Sequence, residues 1–360
     1  MRQLLTKYAD MTGDVDFVPF QGHNFSARGC MGLEAAAMVD FGHLTSFSGT
    51  DTIWGIDFVE KYYNTDSDEE LIGCSVPASE HSVVSSWGQV GEKEMIRHLI
   101  QDKFPSGVIS LVSDTYDYWK VLSEVAPSLR DVIEAREGAP VNKVVFRPDS
   151  GDNVQVITGF FEDEIIREGG KIYEKEETTI GREHQWWKGR ELTELEVRGT
   201  IGVLYDNFGG SENAKGYTEL NPKVGCILGD GVTLEVATAI CERLERKGFA
   251  STNLVFGMGS FGYVMVTRDT DGWAVKATFC VKNGELHAIY KDPKTDTSGM
   301  KKSAKGITAV FQDENGKFYL KDEATWEELN NCAFEVIFED GKLLKETSLE
   351  EIRATIRSFD

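Results

Sequence analysis

Short apolar runs recur along the chain, each ending in a small or charged cluster and followed by a segment with helical spacing. The clusters are SGTDT ending at Thr52, SVPASEHS around His81, LVSDTYD around Asp114, VVFRPDSG around Asp149, CILGDGV around Asp230 and LVFGMGSFG around Gly259. From Asp51 to His81 is 30 residues, from His81 to Asp114 is 33, and from Asp114 to Asp149 is 35. One strand-plus-helix unit takes about 30 residues, so these intervals predict consecutive β/α units. Between the runs, Lys93–Phe104 and Leu234–Lys247 place apolar residues three and four apart, as amphipathic helices do. The runs themselves are continuously apolar, the pattern of parallel strands buried on both faces. An α/β barrel follows, with all six clusters on the rim formed by the strands' carboxyl ends, where ligand sites gather.

The interval from Asp149 to Asp230 is 81 residues, too long for one unit, and predicts an insertion at about 170–215. Its Trp186 and Trp187 suit either a lid or, more often for such a pair, a local anchor. After about Gly272 the pattern changes to alternating strands with hairpin turns: WAVKATFCVKNGELHAIYKD, TAVFQDENGKFYLKD and CAFEVIFEDGKLLKE. A last helix is expected over Leu349–Ser358, capped by Ser348. The predicted organisation is therefore a barrel domain over 1–271 and a mostly β region over 272–360 that carries a basic loop and the C-terminal helix.

Charge narrows the partners. A formal net charge of −22 argues against a general nucleic-acid or anionic-membrane binder, which would need a basic face. Any phosphate site must then be locally basic. The six cysteines, Cys30, Cys74, Cys226, Cys241, Cys280 and Cys332, form no CxxC pair and no metal-ligand spacing, and read as reduced thiols. No run approaches the ~20 apolar residues of a membrane span, and the start MRQLLTKYAD lacks a secretion signal's apolar run, so a cytoplasmic protein is expected.

The rim clusters carry the candidate chemistry. In Arg147-Pro148-Asp149-Ser150-Gly151 the arginine offers a fork for phosphate oxygens, the aspartate can hold a ribose hydroxyl or hydrated magnesium, and the small residues let backbone N–H groups approach an anion. Taken alone, that run reads more readily as a strand-ending turn with a surface ion pair. Gly229-Asp230-Gly231 clears space on both sides of a carboxylate, or makes a tight turn. Gly257, Gly259 and Gly262 match G-x-G-x-x-G, but the barrel period argues for a phosphate cradle around Gly259 and Ser260 rather than a dinucleotide fold. Of six histidines, His81 is the catalytic candidate; His23, His43, His98, His184 and His287 read as surface or packing residues. Asp114 suits orienting His81, binding metal, or capping the helix that begins near Tyr116. Phe25 can stack on a flat heterocycle, Arg28 can pair with phosphate, and Asp51 can accept a hydrogen bond from an amide NH₂. Arg268, Lys276, Lys291, Lys301, Lys302 and Lys305 add local positive charge, which is either a solvated loop or a pyrophosphate-handling one.

Taken together and in order, HNFSARG, SGTDT, SVPASEHS, VSDTYD, RPDSG, GDGV, FGMGS, TRD, KDP and KKSAKG closely resemble the nicotinamide phosphoribosyltransferase family, from about residue 10 to the C-terminus. The resemblance implies a type II phosphoribosyltransferase fold, an irregular α/β barrel beside a mixed sheet domain, and a homodimer with sites at the subunit interface. It implies that Phe25 stacks on nicotinamide and Asp51 reads its carboxamide, while Arg28, Arg147 and Arg268 hold phosphates of phosphoribosyl pyrophosphate. Asp149, Gly229 and Asp230 would hold the ribose or its phosphate, and Lys276, Lys291 and Lys301 the pyrophosphate or ATP. His81 would be phosphorylated where ATP hydrolysis is coupled to synthesis, and Mg²⁺ would assist the departing pyrophosphate. Three departures stand out: the family's N-terminal segment, which supplies an aromatic residue to the partner's pocket, has no counterpart; Ser260 replaces a cradle glycine; and the insertion after Asp149 lies outside the family pattern. The first leads to the expectation that a separate polypeptide supplies that segment or that the chain is a partner-dependent subunit. Nicotinate phosphoribosyltransferase is the enzymatic alternative, disfavoured because Asp51 would repel a carboxylate substrate.

Overall fold

The computed structural model of the chain describes residues 1–180, 183–264, 276–290 and 303–359. It divides into two compact units, one of residues 1–265 with 347–360 and the other of residues 266–346.

The first unit is built on six parallel strands: β1 (Gly22–Asn24), β2 (Gly49–Thr50), β3 (Val108–Val112), β4 (Lys143–Arg147), β5 (Val224–Leu228) and β6 (Leu254–Met258), in the order β2-β1-β6-β5-β4-β3. The curled sheet's two edges are joined through residues 74–79. Cys74 bonds to β2, its carbonyl accepting from Thr50 N at 2.8 Å and its N–H donating to Ser48 O at 2.7 Å. At the other edge Pro77 O accepts from Ser110 N and Ser79 N donates to Ser110 O, both at 2.9 Å. The strand expected before His81 is thus reduced to isolated bridges. Pro77 has no N–H to donate, which is why a regular ladder cannot form there.

Because all six strands run the same way, their carboxyl ends bring Asn24, Thr50, Val112, Arg147, Leu228 and Met258 to one rim. Ile109, Leu111, Val144 and Phe146 are at most 1% exposed, and Ser110, Val112, Val145 and Arg147 on the opposite face at most 9%, so β3 and β4 are buried on both faces as their apolar runs predict. Around them pack helices Arg2–Thr12, Leu33–Leu44, His81–His98, Glu194–Phe208 and Leu234–Arg246. Among the described residues no helix is long and apolar enough to cross a membrane.

Only part of the expected insertion stands apart. Residues 165–192 form a three-stranded antiparallel sheet, Ile165–Glu168, Lys171–Ile180 and Glu183–Leu192, over a small core of Phe160, Ile165, Ile172 and Leu192. Helix Glu194–Phe208 instead buries Ile201, Val203, Leu204 and Phe208 in the main core. It crosses helix Asn153–Thr158 at Gly159 and Gly199, where a Cβ on Gly199 would stand 2.2 Å from Gly159 N, so neither position admits a side chain. Trp186 and Trp187 stay exposed on the outer hairpin, and Trp187 Nε1 donates to Glu176 Oε2 at 2.7 Å.

The C-terminal helix Leu349–Arg357, grouped by the sequence pattern with the β region, belongs to the first unit. Leu349 is fully buried with Leu44, Val59 and Ile72, and Arg353 donates to the carbonyls of Leu44, Leu71 and Ile72. The second unit contains the expected hairpins. Phe279–Lys282 pairs with Glu285–Ala288 through Asn283-Gly284, whose φ angles of +55° and +84° are those of a two-residue hairpin turn. Ala309–Gln312 pairs with Phe318–Lys321, and Phe338–Glu339 with Lys342–Leu343.

Candidate functional site

Asn24 and Thr50 are register partners on β1 and β2, and each is followed by a candidate residue, Phe25 and Asp51. Side chains alternate along a strand, so these pairs turn to opposite sides. Asn24 and Thr50 reach Asp40 on helix Leu33–Leu44. Phe25 lies against Gly257 at the end of β6, where a Cβ would stand 2.3 Å from Phe25 Cε2; the glycine is what lets the ring sit there. The His23 ring stands 4.8 Å from the Phe25 ring at 40°, and its Nε2 donates to Asp51 Oδ1 at 2.9 Å. The Ser75 hydroxyl donates to the same oxygen. Burial is the largest influence on the Asp51 carboxyl and works to raise its pKa. The hydrogen bond and charge of His23, the Ser75 hydroxyl and the Arg147 guanidinium together outweigh it and hold the group below 3.8, as a carboxylate. His23, whose sequence context suggests a surface or packing residue, therefore touches two candidates at once. Its signal was position, one residue before a strand's last residue, rather than composition.

A second group forms where β3 and β4 end. His81 is the first residue of its helix, with Nδ1 2.9 Å from Thr115 Oγ1 and Nε2 3.5 Å from Asp149 Oδ2 and 3.9 Å from Asp114 Oδ1. Asp114 is 6% exposed at its side chain; Oδ2 accepts from Asp149 N at 3.1 Å and from Ser150 Oγ at 2.5 Å, whereas buried Oδ1 has no hydrogen-bond partner. The helix cap that Asp114 was offered as is Asp117, whose side chain accepts from Lys120 N. Arg147, buried on β4, donates Nη2 to Ser79 O at 3.2 Å and leaves Nε without a partner. Gly229 is packed so closely that a Cβ would meet Asp149 Oδ1 at 2.7 Å and Arg147 Cδ at 3.0 Å. A side chain at Gly229 would have to displace Asp149 and Arg147, so the glycine clears space beside both.

Between these groups, a cavity of about 340 Å³ is lined by Phe25, Arg28, Gly229, Asp230, Gly231, Val232, Gly259, Ser260 and Phe261. Six candidates from three separate clusters share it. Gly231, at φ +60°, takes a backbone conformation that favours glycine, and Asn153 Nδ2 donates to Asp230 O at 2.9 Å, fixing the turn. The helix Ser260–Val264 is anchored by Tyr263, whose hydroxyl lies 2.6 Å from His43 Nδ1. His43 Nε2 donates to Gly49 O at 2.8 Å, so Nδ1 accepts from Tyr263. Burial lowers the pKa of His43 to about 3 and keeps it neutral, a packing role as the sequence suggested. A second cavity, of about 380 Å³, lies where Ser150, Gly151 and Asp152 meet Glu174, Arg190 and Glu196, so the inserted sheet adjoins the site's turn. Lys276 is exposed in the second unit; Arg268, Lys291 and Lys301 lie outside the described residues.

The model of the nicotinate phosphoribosyltransferase (NAPRTase) family matches residues 20–328. The chain is 42% identical over 98% of its length to a nicotinamide phosphoribosyltransferase of Acinetobacter baylyi, of which it spans 64%. It is 37% identical over 82% of its length to one from Mycoplasma pneumoniae and 32% identical over 98% to one from Xanthomonas campestris, spanning 56% and 66% of those proteins. The curled parallel sheet with small antiparallel sheets is consistent with a type II phosphoribosyltransferase fold. By these matches the chain belongs to the nicotinate phosphoribosyltransferase (NAPRTase) family.

Proposed function

We propose that the chain takes part in transfer of the phosphoribosyl group of phosphoribosyl pyrophosphate to nicotinamide, giving nicotinamide mononucleotide and pyrophosphate. The observation that carries this reading is the corner in which Phe25 rests on Gly257 beside Asp51, held ionised by His23 and Ser75. An aromatic face suits a pyridine ring, and a carboxylate accepts from a carboxamide NH₂ while repelling the carboxylate of nicotinate. Both bonds to Asp51 fall on Oδ1, which leaves Oδ2 to receive the amide.

In the proposed reaction the ring nitrogen forms a bond to the anomeric carbon as the bond from that carbon to pyrophosphate oxygen breaks, and the ring becomes cationic. The transition state has oxocarbenium character, as in other glycosyl transfers. We assign Asp149 and Asp230 to the ribose, whose hydroxyls can donate to them, and Arg28 with the Gly259–Ser260 turn to phosphate oxygens. The partnerless Nε of buried Arg147 supports an anion nearby.

Asp114 and Asp149 are the carboxylates we assign to Mg²⁺, which is commonly held by one or two protein carboxylates plus substrate phosphates. The partnerless Asp114 Oδ1 fits that use. Bound there, the ion would neutralise charge developing on pyrophosphate. We assign His81 as the site of phosphorylation by ATP, since its half-exposed ring is hydrogen-bonded to Thr115 and faces Asp149 and Asp114 at 3.5 and 3.9 Å. A homodimer is the proposed working form, supported by exposed Met31, Leu33, Met38 and Trp54 in and around one helix.

The test is formation of nicotinamide mononucleotide by the purified chain with Mg²⁺ and phosphoribosyl pyrophosphate, offering nicotinamide and nicotinate separately, with and without ATP. Turnover on nicotinamide is expected. Turnover on nicotinate alone would overturn the assignment of Asp51, and none from folded protein would point to a partner-dependent subunit.

A further inference from the structure

A buried acid that the proposed chemistry does not use lies directly behind the base corner. Asp40, on helix Leu33–Leu44, is 0% exposed, and one of its oxygens, Oδ1, accepts from Asn24 Nδ2 at 2.7 Å and from Thr50 Oγ1 at 2.5 Å. Those two residues are cross-strand partners at the ends of β1 and β2. Each in turn holds the backbone just beyond it: Asn24 Oδ1 accepts from Ser26 N, and Thr50 Oγ1 from Thr52 N, both at 2.9 Å. Asp51 N donates to Asn24 O at 3.0 Å, tying the two turns together. Phe25 therefore sits between two residues whose positions depend on Asp40, and so does Asp51.

The same carboxylate is a poor choice for stability alone. Its other oxygen, Oδ2, has no hydrogen-bond partner, and among the described residues no lysine or arginine pairs with Asp40. A Cβ on Gly55 would come within 2.1 Å of Oδ2, so backbone presses against it. Burying an acid without a counter-ion is unfavourable. What it provides is a charged acceptor that draws two donors on neighbouring strands onto one atom, with bonds stronger than neutral ones.

We infer that Asp40 is a positioning residue for the base pocket: by joining Asn24 to Thr50 it fixes Phe25 and Asp51 relative to each other, and so sets the affinity for nicotinamide and the preference for amide over acid. This deepens the function proposed above and rests on it. Asp40 touches no substrate in this account; it acts through its two neighbours.

The experiment compares Asp40→Ala, Asp40→Asn and Thr50→Val with the wild-type chain, varying each substrate in turn. Asp40→Ala is expected to raise the nicotinamide KM by about tenfold or more, the scale of losing hydrogen bonds to a buried charge. The KM for phosphoribosyl pyrophosphate and the kcat at saturating nicotinamide should stay within about twofold. The ratio of nicotinamide to nicotinate turnover should fall. Asp40→Asn keeps an acceptor oxygen with weaker bonds and should recover much of the loss. Thr50→Val cuts the same link from the other strand and should reproduce the KM effect, so the inference stands or falls on it if Asp40→Ala does not fold. Unchanged nicotinamide KM in the folded variants, or equal changes for both substrates and kcat, would overturn the role of Asp40. Wild-type turnover separates the two claims: its absence counts against the proposed function, and its presence with unaltered variants counts against Asp40 alone.

Discussion

The two corners of the rim are joined by the same stretch, residues 74–79, yet they are built on opposite plans. At the β1–β2 corner, polar groups are buried and bonded at 2.5–3.0 Å through Asp40, Asn24, Thr50 and His23. At the β3–β4 corner, His81 is half exposed and meets Asp149 and Asp114 only at 3.5 and 3.9 Å, and Asp114 Oδ1 and Arg147 Nε lack partners. The first corner is tied by short hydrogen bonds without ligand, though Asp40 Oδ2 lacks a partner there too; a small flat base needs such a preformed pocket. The second leaves charged groups unsatisfied, as a site that must receive phosphate, and a metal with it, would. On the proposed function the contrast has a reason: a neutral ring supplies few bonds and needs a preformed pocket, while a pyrophosphate brings its own charge.

The sharpest way to break this comparison is Asp149→Ala at the open corner. Activity should fall by on the order of 10²–10³, the usual effect of removing one preorganised group at a reacting centre. The effect should appear in kcat/KM for phosphoribosyl pyrophosphate, with little change in nicotinamide KM or in stability. Steady-state kinetics and thermal unfolding check it. A fall in Tm of many degrees would mean that Asp149 supports the fold, and the two corners would then be alike.

The closed corner should behave in the opposite sense, because its polar network costs stability. Burial is the main cause that raises the pKa of Asp40 from 3.8 to about 6, despite the hydrogen bonds from Thr50 and Asn24 and the charge of His23. The folded carboxyl therefore binds a proton more readily than the unfolded one. Below about pH 4 both forms are protonated and the group is neutral in its effect. As pH rises through the interval to 6, the unfolded chain ionises first and folding loses stability, by about 3 kcal/mol at most. Asp40→Asn removes that loss, so its stability relative to wild type should grow between pH 4 and pH 7 and then level off. Denaturant titrations at several pH values measure this. A flat difference would show that Asp40 ionises as freely as on the surface.

The barrel was legible because its strands are continuous apolar runs at a steady interval, and the candidates Phe25, Arg28, Gly229, Asp230, Gly259 and Ser260 could be gathered because each ends or follows a strand. What escaped were residues whose meaning depends on a neighbour. Asp40 and His23 look ordinary in sequence, since a helix aspartate and a strand histidine are both usually exposed or structural. The extent of the insertion was overestimated because helix Glu194–Phe208 is kinked at Gly199, which blurs its apolar period. The C-terminal helix was grouped with the region it follows, whereas burial of Leu349 beside Leu44, Val59 and Ile72 is a long-range contact with no local signal.

Two glycines near the site give a finer test of the same contrast. Gly257→Ala places a methyl group 2.3 Å from Phe25 Cε2 and 2.8 Å from the carbonyl of Leu228, so the ring must move. Nicotinamide KM should rise by about tenfold, and stability should fall by about 1–3 kcal/mol, as overpacking generally does. Gly259→Ala meets nothing within 4 Å, and should leave stability and nicotinamide KM unchanged. Any effect there should be confined to phosphoribosyl pyrophosphate, through blocked approach of phosphate to the backbone.

The smallest effect is expected at Ser260, the position where the family's cradle has glycine. Its hydroxyl and Cβ occupy space directly over Gly29, where an added Cβ would stand 2.1 Å from Ser260 Oγ. The side chain thus fills a gap against the loop that carries Arg28, rather than projecting alone into the cavity. Ser260→Gly should open the cradle slightly while freeing that loop, two changes of opposite sign for phosphate binding. The KM for phosphoribosyl pyrophosphate should consequently stay within about threefold of wild type, less than 1 kcal/mol. A gain of tenfold or more would mean that the serine narrows the cradle, and that the open corner is more tightly shaped than its long contacts suggest.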